Sequence, residues 1–291
     1  QFIRRAAESP RRETLRRQTN TLYLADCLPT KHPKFFANFE VVLKKCSITF
    51  QLLLDTKDIW AVDYMPVQVT LDKFVQFVYN PDYLQSKKWI KTISEVGSIC
   101  NSIKLNRIKS DIVLDGGNVT KTTDKVIMCD KIFIENPHYS RRQLADKLRE
   151  LFEVDKLYFV PQQPKDFTGH ADGMVRFLDN NTVIINDHSK EKPEFQRAFK
   201  IALDNAGLDY IEIPYNPYGN KTYGQANGDY INFLQMHDTV IIPTFGIKED
   251  EIAVRQFEQL FKGQQIATID SNEVADNGGI LNCITWNIWT T

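Results

Sequence analysis

Short apolar runs alternate with amphipathic segments along almost the whole chain. The apolar runs have the length and composition of β-strands, and the amphipathic segments carry apolar residues at helical spacing. The clearest helix is predicted over residues 140–152, where Leu144, Leu148 and Leu151 form one stripe among charged side chains. The pattern predicts an α/β fold with many short strands and about five helices.

The predicted elements cover most of the chain. The predicted helices are at 33–44, 83–99, 140–152, 193–206 and 249–261. The predicted strands are at 21–27, 47–54, 111–114, 125–129, 156–160, 174–178, 182–186, 210–213, 265–269 and 280–286, with 230–235 and 239–243 as a tight pair. Such alternation favours a doubly wound parallel sheet, but the glycine-rich phosphate loop that often opens that fold is missing. The double glycines, at 116–117 and 278–279, lie instead at strand edges.

Composition and charge narrow the class of protein. The 291 residues are 42% hydrophobic and 25% charged, with a net charge of −1, so the chain can bury a sizeable core without a disulfide or metal staple. The charge balance favours neither a nucleic-acid partner nor a membrane surface. No apolar run approaches the roughly 20 residues needed to span a bilayer. The oligomeric state is not readable from these patterns.

Two further features concern the cysteines and the N-terminal region. The cysteines are odd in number, widely spaced and never in a CxxC pair: Cys27, Cys46, Cys100, Cys129 and Cys283. This spacing argues against a disulfide framework or a structural zinc site and favours a reducing, cytoplasmic compartment. The segment 1–20 is rich in arginine, and we expect it to form a solvated arm or an edge helix.

Reactive side chains are concentrated in four short segments: DIWAVDYMP (58–66), DGGN (115–118), GHADG (169–173) and NGGILNCITW (277–286). If Ala171 belongs to a strand, His170 and Asp172 point to the same face. An imidazole beside a carboxylate can act as an acid/base or help to hold a cation. Alternatively, His170 only caps a loop.

Cys283 and Asp63 each allow two interpretations. Cys283 is either a buried, inert core residue or a nucleophile at a strand end, whose thiolate requires a positive neighbour. Its position after a double glycine favours it over the other four cysteines as a nucleophile. Asp63 lies between Trp60 and Pro66 in an apolar setting, where a carboxylate is costly to bury unless a cation meets it.

Together, and in this order, the four segments resemble the agmatine deiminase / Porphyromonas-type peptidylarginine deiminase family of guanidine-modifying enzymes. Two more stretches, ENPHYSRRQLADKLRELF (135–152) and YINFLQMHDTVIIPTFG (230–246), are similar to the same family. The resemblance spans about residues 21–289. It implies a pentein-like fold, which is a five-bladed, pseudo-symmetric α/β-propeller, and a single catalytic domain over 21–291.

The resemblance also implies a role for each motif residue. Cys283 corresponds to the nucleophile and His170 to the general acid/base, with Asp115 as the acid that supports the histidine. Asp63 and Asp172 correspond to the carboxylates that bracket the substrate guanidinium.

Asn118 and Trp60 are expected to line the site. The family usually has Arg at the position of Val62, Gly at that of Met65 and Glu at that of Asp115, and the first of these departures bears on substrate or loop organisation.

The implied reaction is hydrolytic deimination of a guanidinium group, with release of ammonia and a ureido product and without a metal or cofactor. Agmatine is the expected substrate, which would place the enzyme in polyamine biosynthesis, and peptidyl or free arginine are alternatives. Arg176 is a candidate partner for an arginine carboxylate, and Tyr218 or Tyr223 for an agmatine chain. The other readings are an amidinotransferase of the same fold, a guanidinium-binding protein without turnover, and a cysteine amidohydrolase acting on ordinary amides.

Overall fold

Over the residues that the structure describes, the fold consists of five three-stranded sheets of the same design. The computed structural model describes residues 19–291, so nearly all of the predicted arm at 1–20 lies outside the described residues. In every sheet the middle strand pairs antiparallel with the strand on one side and parallel with the strand on the other. The parallel neighbour always follows the middle strand through a helical connection, as a parallel crossover requires.

We number the five units from the sheet that contains the first strand, and in each we give the inner, middle and outer strand. Unit 1 contains Thr285–Ile288, Thr21–Ala25 and Phe50–Leu53, and unit 2 contains Val67–Gln68, Phe74–Val78 and Ile108–Val113. Unit 3 contains Thr120–Lys121, Lys125–Cys129 and Lys156–Val160. Unit 4 contains Val175–Phe177, Thr182–Asn186 and Asp209–Ile213, and unit 5 contains Leu234–Met236, Thr239–Thr244 and Gln265–Asp270.

The crossover helices of units 1 to 5 are Pro33–Lys45, Val96–Ser102, Arg141–Phe152, Pro193–Asn205 and Glu249–Leu260. Shorter helices span Leu28–Lys31, Ala61–Tyr64, Ile132–Glu135 and Asn272–Ala275, and single 3₁₀ turns span Asp82–Leu84, Ile90–Thr92, Gly116–Asn118, Ala171–Gly173 and Pro217–Gly219. None of the helices over residues 19–291 is both long and apolar enough to cross a membrane.

The C-terminal strand closes the ring. Thr285–Ile288 pairs antiparallel with Thr21–Ala25 and so completes the sheet of unit 1. The indole of Trp286 adds a hydrogen bond to the carbonyl oxygen of Pro66, at 2.9 Å, which ties this strand to unit 2. The arrangement confirms the five-bladed α/β-propeller and excludes the doubly wound sheet, because every sheet has only three strands and one antiparallel pair.

The crossover helices form where the sequence provides a start signal and a repeated apolar position. Ser140 and Gln143 make a reciprocal capping box at the start of Arg141–Phe152, whose Leu144 and Leu148 are fully buried. Pro193–Asn205 begins with a proline, which suits the first helical turn. Apolar residues recur there every four positions, and they form the buried face toward the sheet.

Several predicted boundaries differ from the structure. The helix predicted at 83–99 was wrong: only Val96–Ser102 is α-helical, because Trp89 and Ile90 are exposed and residues 85–95 have no buried stripe to pack. The strands predicted at 230–235 and 280–286 begin only at Leu234 and Thr285. As a result, Cys283 lies in the turn before a strand rather than within it.

Candidate active site

The segments that join one unit to the next carry the predicted site residues. Each segment leads from the outer strand of one unit to the inner strand of the following one. Together they surround a cavity of about 960 Å³. The cavity is lined, in chain order, by Asp63, His170, Asp172, Asn232 and Cys283, which come from four of the five joining segments. Residues far apart in sequence therefore share one cavity.

The imidazole of His170 lies between two carboxylates. Its Nε2 is 3.0 Å from Oδ2 of Asp115, and its Nδ1 is 3.5 Å from Oδ1 of Asp63. Burial by itself would lower the pKa of His170, but the charges of Asp63 and Asp115 outweigh it and raise the pKa to about 10. This raised pKa favours the imidazolium form of His170, which is hydrogen-bonded to Asp115 and forms an ion pair with Asp63.

Asp115 is not itself exposed to the cavity and acts through His170. Its Oδ2 also accepts a hydrogen bond from the hydroxyl of Tyr83, at 2.7 Å. The carboxylate is 3% exposed, so its orientation is fixed by these two contacts. The joining segment between units 2 and 3 thus contributes to the site through the contact of Asp115 with His170, on the side of the imidazole away from the cavity.

The double glycine after Asp115 allows this packing. The backbone N–H of Gly117 donates to Oδ1 of Asp63 at 3.0 Å. A Cβ atom on Gly117 would lie 2.5 Å from that oxygen and 2.6 Å from Nδ1 of His170, and one on Gly116 would overlap the carbonyl oxygen of Val62. Only glycine fits at both positions.

Two amides hold Asp172. Its Oδ2 accepts a hydrogen bond from Nδ2 of Asn232 at 3.1 Å and a second, shorter one from Nδ2 of Asn282. The side chain is almost completely buried. Because both amides are neutral and bind the same oxygen, the negative charge of Asp172 is not cancelled.

Cys283 lies next to the second double glycine. Its Sγ is 3.4 Å from Oδ1 of Asn232. Burial raises the pKa of the Cys283 thiol well above its ordinary value, and the charges of Asp172 and Asp63 raise it further. A Cβ on Gly279 would lie 3.0 Å from the Cβ of Cys283 and 2.5 Å from the ring of Trp60, so close approach again requires glycine.

The structure places the remaining predicted residues as follows. Trp60 lines the cavity, and Tyr218 and Tyr223 lie at its exposed rim. Asn118 does not line it: its amide is used in a pair of hydrogen bonds with the backbone of Cys129, so the structure does not support substrate contact at that position. The strand geometry assumed for the GHADG segment was also wrong, since Ala171–Gly173 is a 3₁₀ turn.

Arg176 and Val62 lie away from the cavity lining. Arg176 is buried, with its guanidinium over the ring of Phe233 and Nη1 donating to the carbonyl oxygen of Phe233 at 3.1 Å. The side chain of Val62 lines a separate, smaller cavity. Its backbone N–H contacts the carbonyl oxygen of Cys283 at 3.3 Å, so the Val62 departure leaves the backbone link between Asp63 and Cys283 in place.

Sequence reasoning missed three polar residues of the site: Asn232, Asn282 and Asp229. Asn232 belongs to the stretch 230–246 and Asn282 precedes Cys283, so both lie in the family-like motifs, but an asparagine carries no charge and gave no chemical signal. Asp229 lines the cavity beside them. Within residues 19–291, no group of three or more His, Cys, Asp or Glu side chains is arranged to hold a metal ion.

The fold and the site define a pentein-type propeller with a cysteine, a histidine and carboxylates in one cavity. Solved structures share the fold: the substrate-bound agmatine deiminase of C. jejuni superposes with a TM-score of 0.76 at 20% identity, over 96% of both chains. The dimethylarginine dimethylaminohydrolase (DDAH) of Pseudomonas aeruginosa matches with a TM-score of 0.56 at 14% identity, over 93% of this chain and 99% of that one. At these identities the likeness establishes the fold alone.

The sequence comparisons give the family. Residues 23–288 match the family model of the Porphyromonas-type peptidyl-arginine deiminases, and the chain belongs to this family of hydrolytic enzymes. The agmatine deiminase of Medicago truncatula is 26% identical over 220 residues, which are 62% of this chain and 58% of the relative. The prediction of a deiminase is thereby confirmed at the level of the enzyme class.

Proposed function

We propose that this enzyme hydrolyses the guanidinium group of agmatine through a covalent intermediate on Cys283. The observation that carries the proposal is that Cys283, His170, Asp63 and Asp172 line one cavity. Such a set contains a nucleophile, an acid and two carboxylates that can hold a planar cation. The names of the relatives support deimination as the reaction type.

Binding of the cation prepares the nucleophile. The carboxylates of Asp63 and Asp172 can accept charge-assisted hydrogen bonds from guanidinium N–H groups and so fix the central carbon against the sulfur. The same two carboxylates raise the pKa of the thiol before substrate binds. A bound cation offsets their charge, lowers the thiol pKa and allows the proton of Cys283 to leave to solvent.

The first half of the reaction releases ammonia. The thiolate adds to the guanidinium carbon and forms a neutral tetrahedral adduct. The imidazolium of His170 then protonates one amino group, the carbon–nitrogen bond breaks, and ammonia leaves. A cationic thiouronium group remains on sulfur, held by the same carboxylates, and His170 is left neutral.

The second half regenerates the enzyme. Neutral His170 takes a proton from water as the water oxygen attacks the thiouronium carbon. The carbon–sulfur bond then breaks, the hydroxyl proton is lost, and the ureido product forms with the sulfur restored. Overall, one guanidinium ion and one water give one ureido compound and one ammonium ion.

Free arginine fits the cavity less well than agmatine. Its carboxylate requires a cationic partner, and none of the described residues that line the cavity is an arginine. Four lysines, Lys165, Lys190, Lys192 and Lys221, line its outer wall, but all are exposed. Lys165 and Lys190 lie over the rings of Tyr223 and Tyr218. Salt therefore screens their charge at the rim.

Peptidyl arginine is the second candidate because of the cavity's size and its aromatic rim. The cavity volume of about 960 Å³ is at the upper end for a small-molecule site. Trp89, Phe167, Tyr218 and Tyr223 line it and are each more than 40% exposed, as side chains that contact a peptide would be. This surface would accept residues next to the arginine.

The test is release of ammonia and of ureido product from agmatine, free arginine and an arginine-containing peptide, measured with wild type and Cys283→Ala. We expect agmatine to be the best substrate and the variant to be inactive on all three. If only the peptide is turned over, peptidyl arginine is the substrate. Transfer of the amidino group to an added amine, in place of ammonia and ureido product, would identify an amidinotransferase.

A further inference from the structure

Asp229 occupies a position in unit 5 that corresponds to known site positions in units 3 and 4. Asp115 lies five residues before the inner strand Thr120–Lys121, and His170 lies five residues before Val175–Phe177. Asp229 lies five residues before Leu234–Met236 in the equivalent joining segment. At these equivalent positions His170 and Asp229 both line the cavity, whereas Asp115 lies behind His170.

The carboxylate of Asp229 has hydrogen-bond donors around it but no cation. Its Oδ1 accepts from the backbone N–H of Ile231 at 3.0 Å, and the amide of Asn186 lies next to it. Over residues 19–291, no Lys, Arg or His nitrogen lies within 4.0 Å of it. Burial and the neighbouring charge of Asp172 raise the pKa of Asp229 to about 8.

Around the reactive residues the carboxylates outnumber the cationic groups, because the four lysines that line the cavity, Lys165, Lys190, Lys192 and Lys221, are exposed at its outer wall. Asp63 and Asp115 share the single imidazolium of His170. Asp172 is held only by neutral amides, and Asp229 has no cationic partner among the described residues. A guanidinium ion at Asp172 offsets the charge of that carboxylate. A second cationic group beside Asp229 would favour its ionised form over the protonated form that its raised pKa favours.

Asp229 lies on the cavity wall, where its charge interacts with Asp172 and Tyr215. The carboxylates that act on the thiol of Cys283 are Asp172 and Asp63, whereas Asp229 acts on the hydroxyl of Tyr215. Tyr215 also lines the cavity, and its hydroxyl accepts a hydrogen bond from Gln163 at 2.5 Å. Because Cys283, Asp172 and Asp229 line the same cavity, one ligand can contact all three.

We propose that Asp229 binds the second cationic group of a dicationic guanidine, which in agmatine is the terminal ammonium. This inference rests on the proposed deimination and adds its substrate class: a guanidinium and an ammonium joined by a short alkyl chain. Asp229 then disfavours a substrate with a carboxylate at that end, because two carboxylates would face each other in a partly buried site.

The test compares agmatine with pentylguanidine, in which a methyl group replaces the ammonium. Wild type is expected to favour agmatine. Asp229→Asn should lower kcat/KM for agmatine, mainly through KM, by about 10–100-fold, since a buried hydrogen bond to a charged group is lost. It should change kcat/KM for pentylguanidine by less than about threefold. Asp229→Ser provides a second variant should the asparagine fold poorly.

Glu191→Gln is the matched control, because Glu191 lines the outer part of the same cavity and contacts the hydroxyl of Tyr218. It should leave the preference for agmatine intact. Equal losses for both substrates in Asp229→Asn, no loss for either, or loss of the preference in Glu191→Gln would each overturn the inference.

Calorimetric titration of agmatine and pentylguanidine into Cys283→Ala, with and without Asp229→Asn, measures the difference in affinity between the two compounds without turnover. If wild type releases no ammonia but Cys283→Ala binds agmatine in an Asp229-dependent way, the proposed reaction fails and the binding site stands. If discrimination is absent while ammonia is released, only the role of Asp229 fails.

Discussion

The side-chain oxygen of Asn232 lies 3.4 Å from the sulfur of Cys283. The same oxygen accepts the backbone N–H groups of Asn282 at 3.0 Å and of Cys283 at 3.3 Å, while the amide nitrogen donates to Asp172. One neutral side chain thus fixes the nucleophile and one of the substrate carboxylates relative to each other. Neither contact involves a charge on Asn232 itself, and its role is to position the reacting groups.

Replacing Asn232 by alanine should lower kcat and raise KM together. The change frees the thiol and leaves the buried backbone N–H of Cys283 without an acceptor, at a cost of about 1–3 kcal/mol in unfolding free energy. The N–H of Asn282 keeps the backbone carbonyl oxygen of residue 232, at 3.2 Å. Asn282→Ala is the matched variant, because the side chain of Asn282 also donates to Asp172. It should raise KM with a smaller effect on kcat. Wild-type kcat in Asn232→Ala would show that the contact with sulfur is not used.

Replacing Asp115 by asparagine should shift the alkaline limb of the kcat–pH profile to lower pH. The carboxylate of Asp115 is one of the charges that raise the pKa of His170, so its removal lowers that pKa. The imidazolium needed to protonate the departing nitrogen is then lost at a lower pH. The pH profile of ammonia release measures the shift. An unchanged alkaline limb would contradict the assignment of His170 as the general acid.

Gly117→Ala should inactivate the enzyme without unfolding it. The added methyl group would overlap Oδ1 of Asp63 and the ring of His170, and both must move. A displacement of about 1 Å can cost about 10²-fold in rate. Gly219→Ala is the control, since a Cβ atom added at that position would have no neighbouring atom within 4 Å. Kinetics and thermal melting of the two variants check this, and full activity in Gly117→Ala would argue against the observed packing.

Asp229 should make the protein less stable as pH rises. Its pKa is about 8 in the folded chain against an ordinary value of 3.8, so the folded state holds the proton more tightly than the unfolded one. Stability contributed by this group is therefore complete below about pH 4 and is lost between about pH 4 and pH 8, at up to about 1.4 kcal/mol per pH unit. Asp229→Asn removes this loss.

Urea unfolding of wild type and Asp229→Asn across that pH range measures the difference. The stability of the variant relative to wild type should increase from pH 4 to pH 8 and then level off. A difference that does not change with pH would mean that Asp229 keeps an ordinary pKa in the folded chain.

Helices and strands could be predicted from the sequence where the spacing of apolar residues and the signals at the element's ends agree. Strands Lys125–Cys129, Lys156–Val160 and Thr182–Asn186 have the predicted bounds, and the helix after Ser140 begins at its capping residue. Strands of two residues, such as Val67–Gln68, are too short for a pattern to indicate. They exist because the neighbouring strand provides hydrogen-bonding partners, which is a tertiary effect.

The residues of the site also differ in how far the sequence alone could predict them. Reactive residue types drew attention to Cys283, His170 and Asp63, and the resemblance of their motifs to a known family gave each a predicted role. Asn232 and Asp229 become informative only through distances to residues elsewhere in the chain. Asn118 shows the opposite case: it lies in a motif, yet its amide is used by the backbone of Cys129. Whether a polar residue belongs to the site therefore depends on contacts with residues from other units of the propeller.

The most direct test of the account is whether the guanidinium carbon becomes bonded to Cys283 during turnover. Wild-type enzyme mixed with excess agmatine, quenched in acid within one turnover and digested, should yield the peptide that contains Cys283 with the added mass of the thiouronium group. The same peptide from Cys283→Ala should be unmodified, and that variant should release no ammonia. Ammonia release by Cys283→Ala at the wild-type rate would contradict the account.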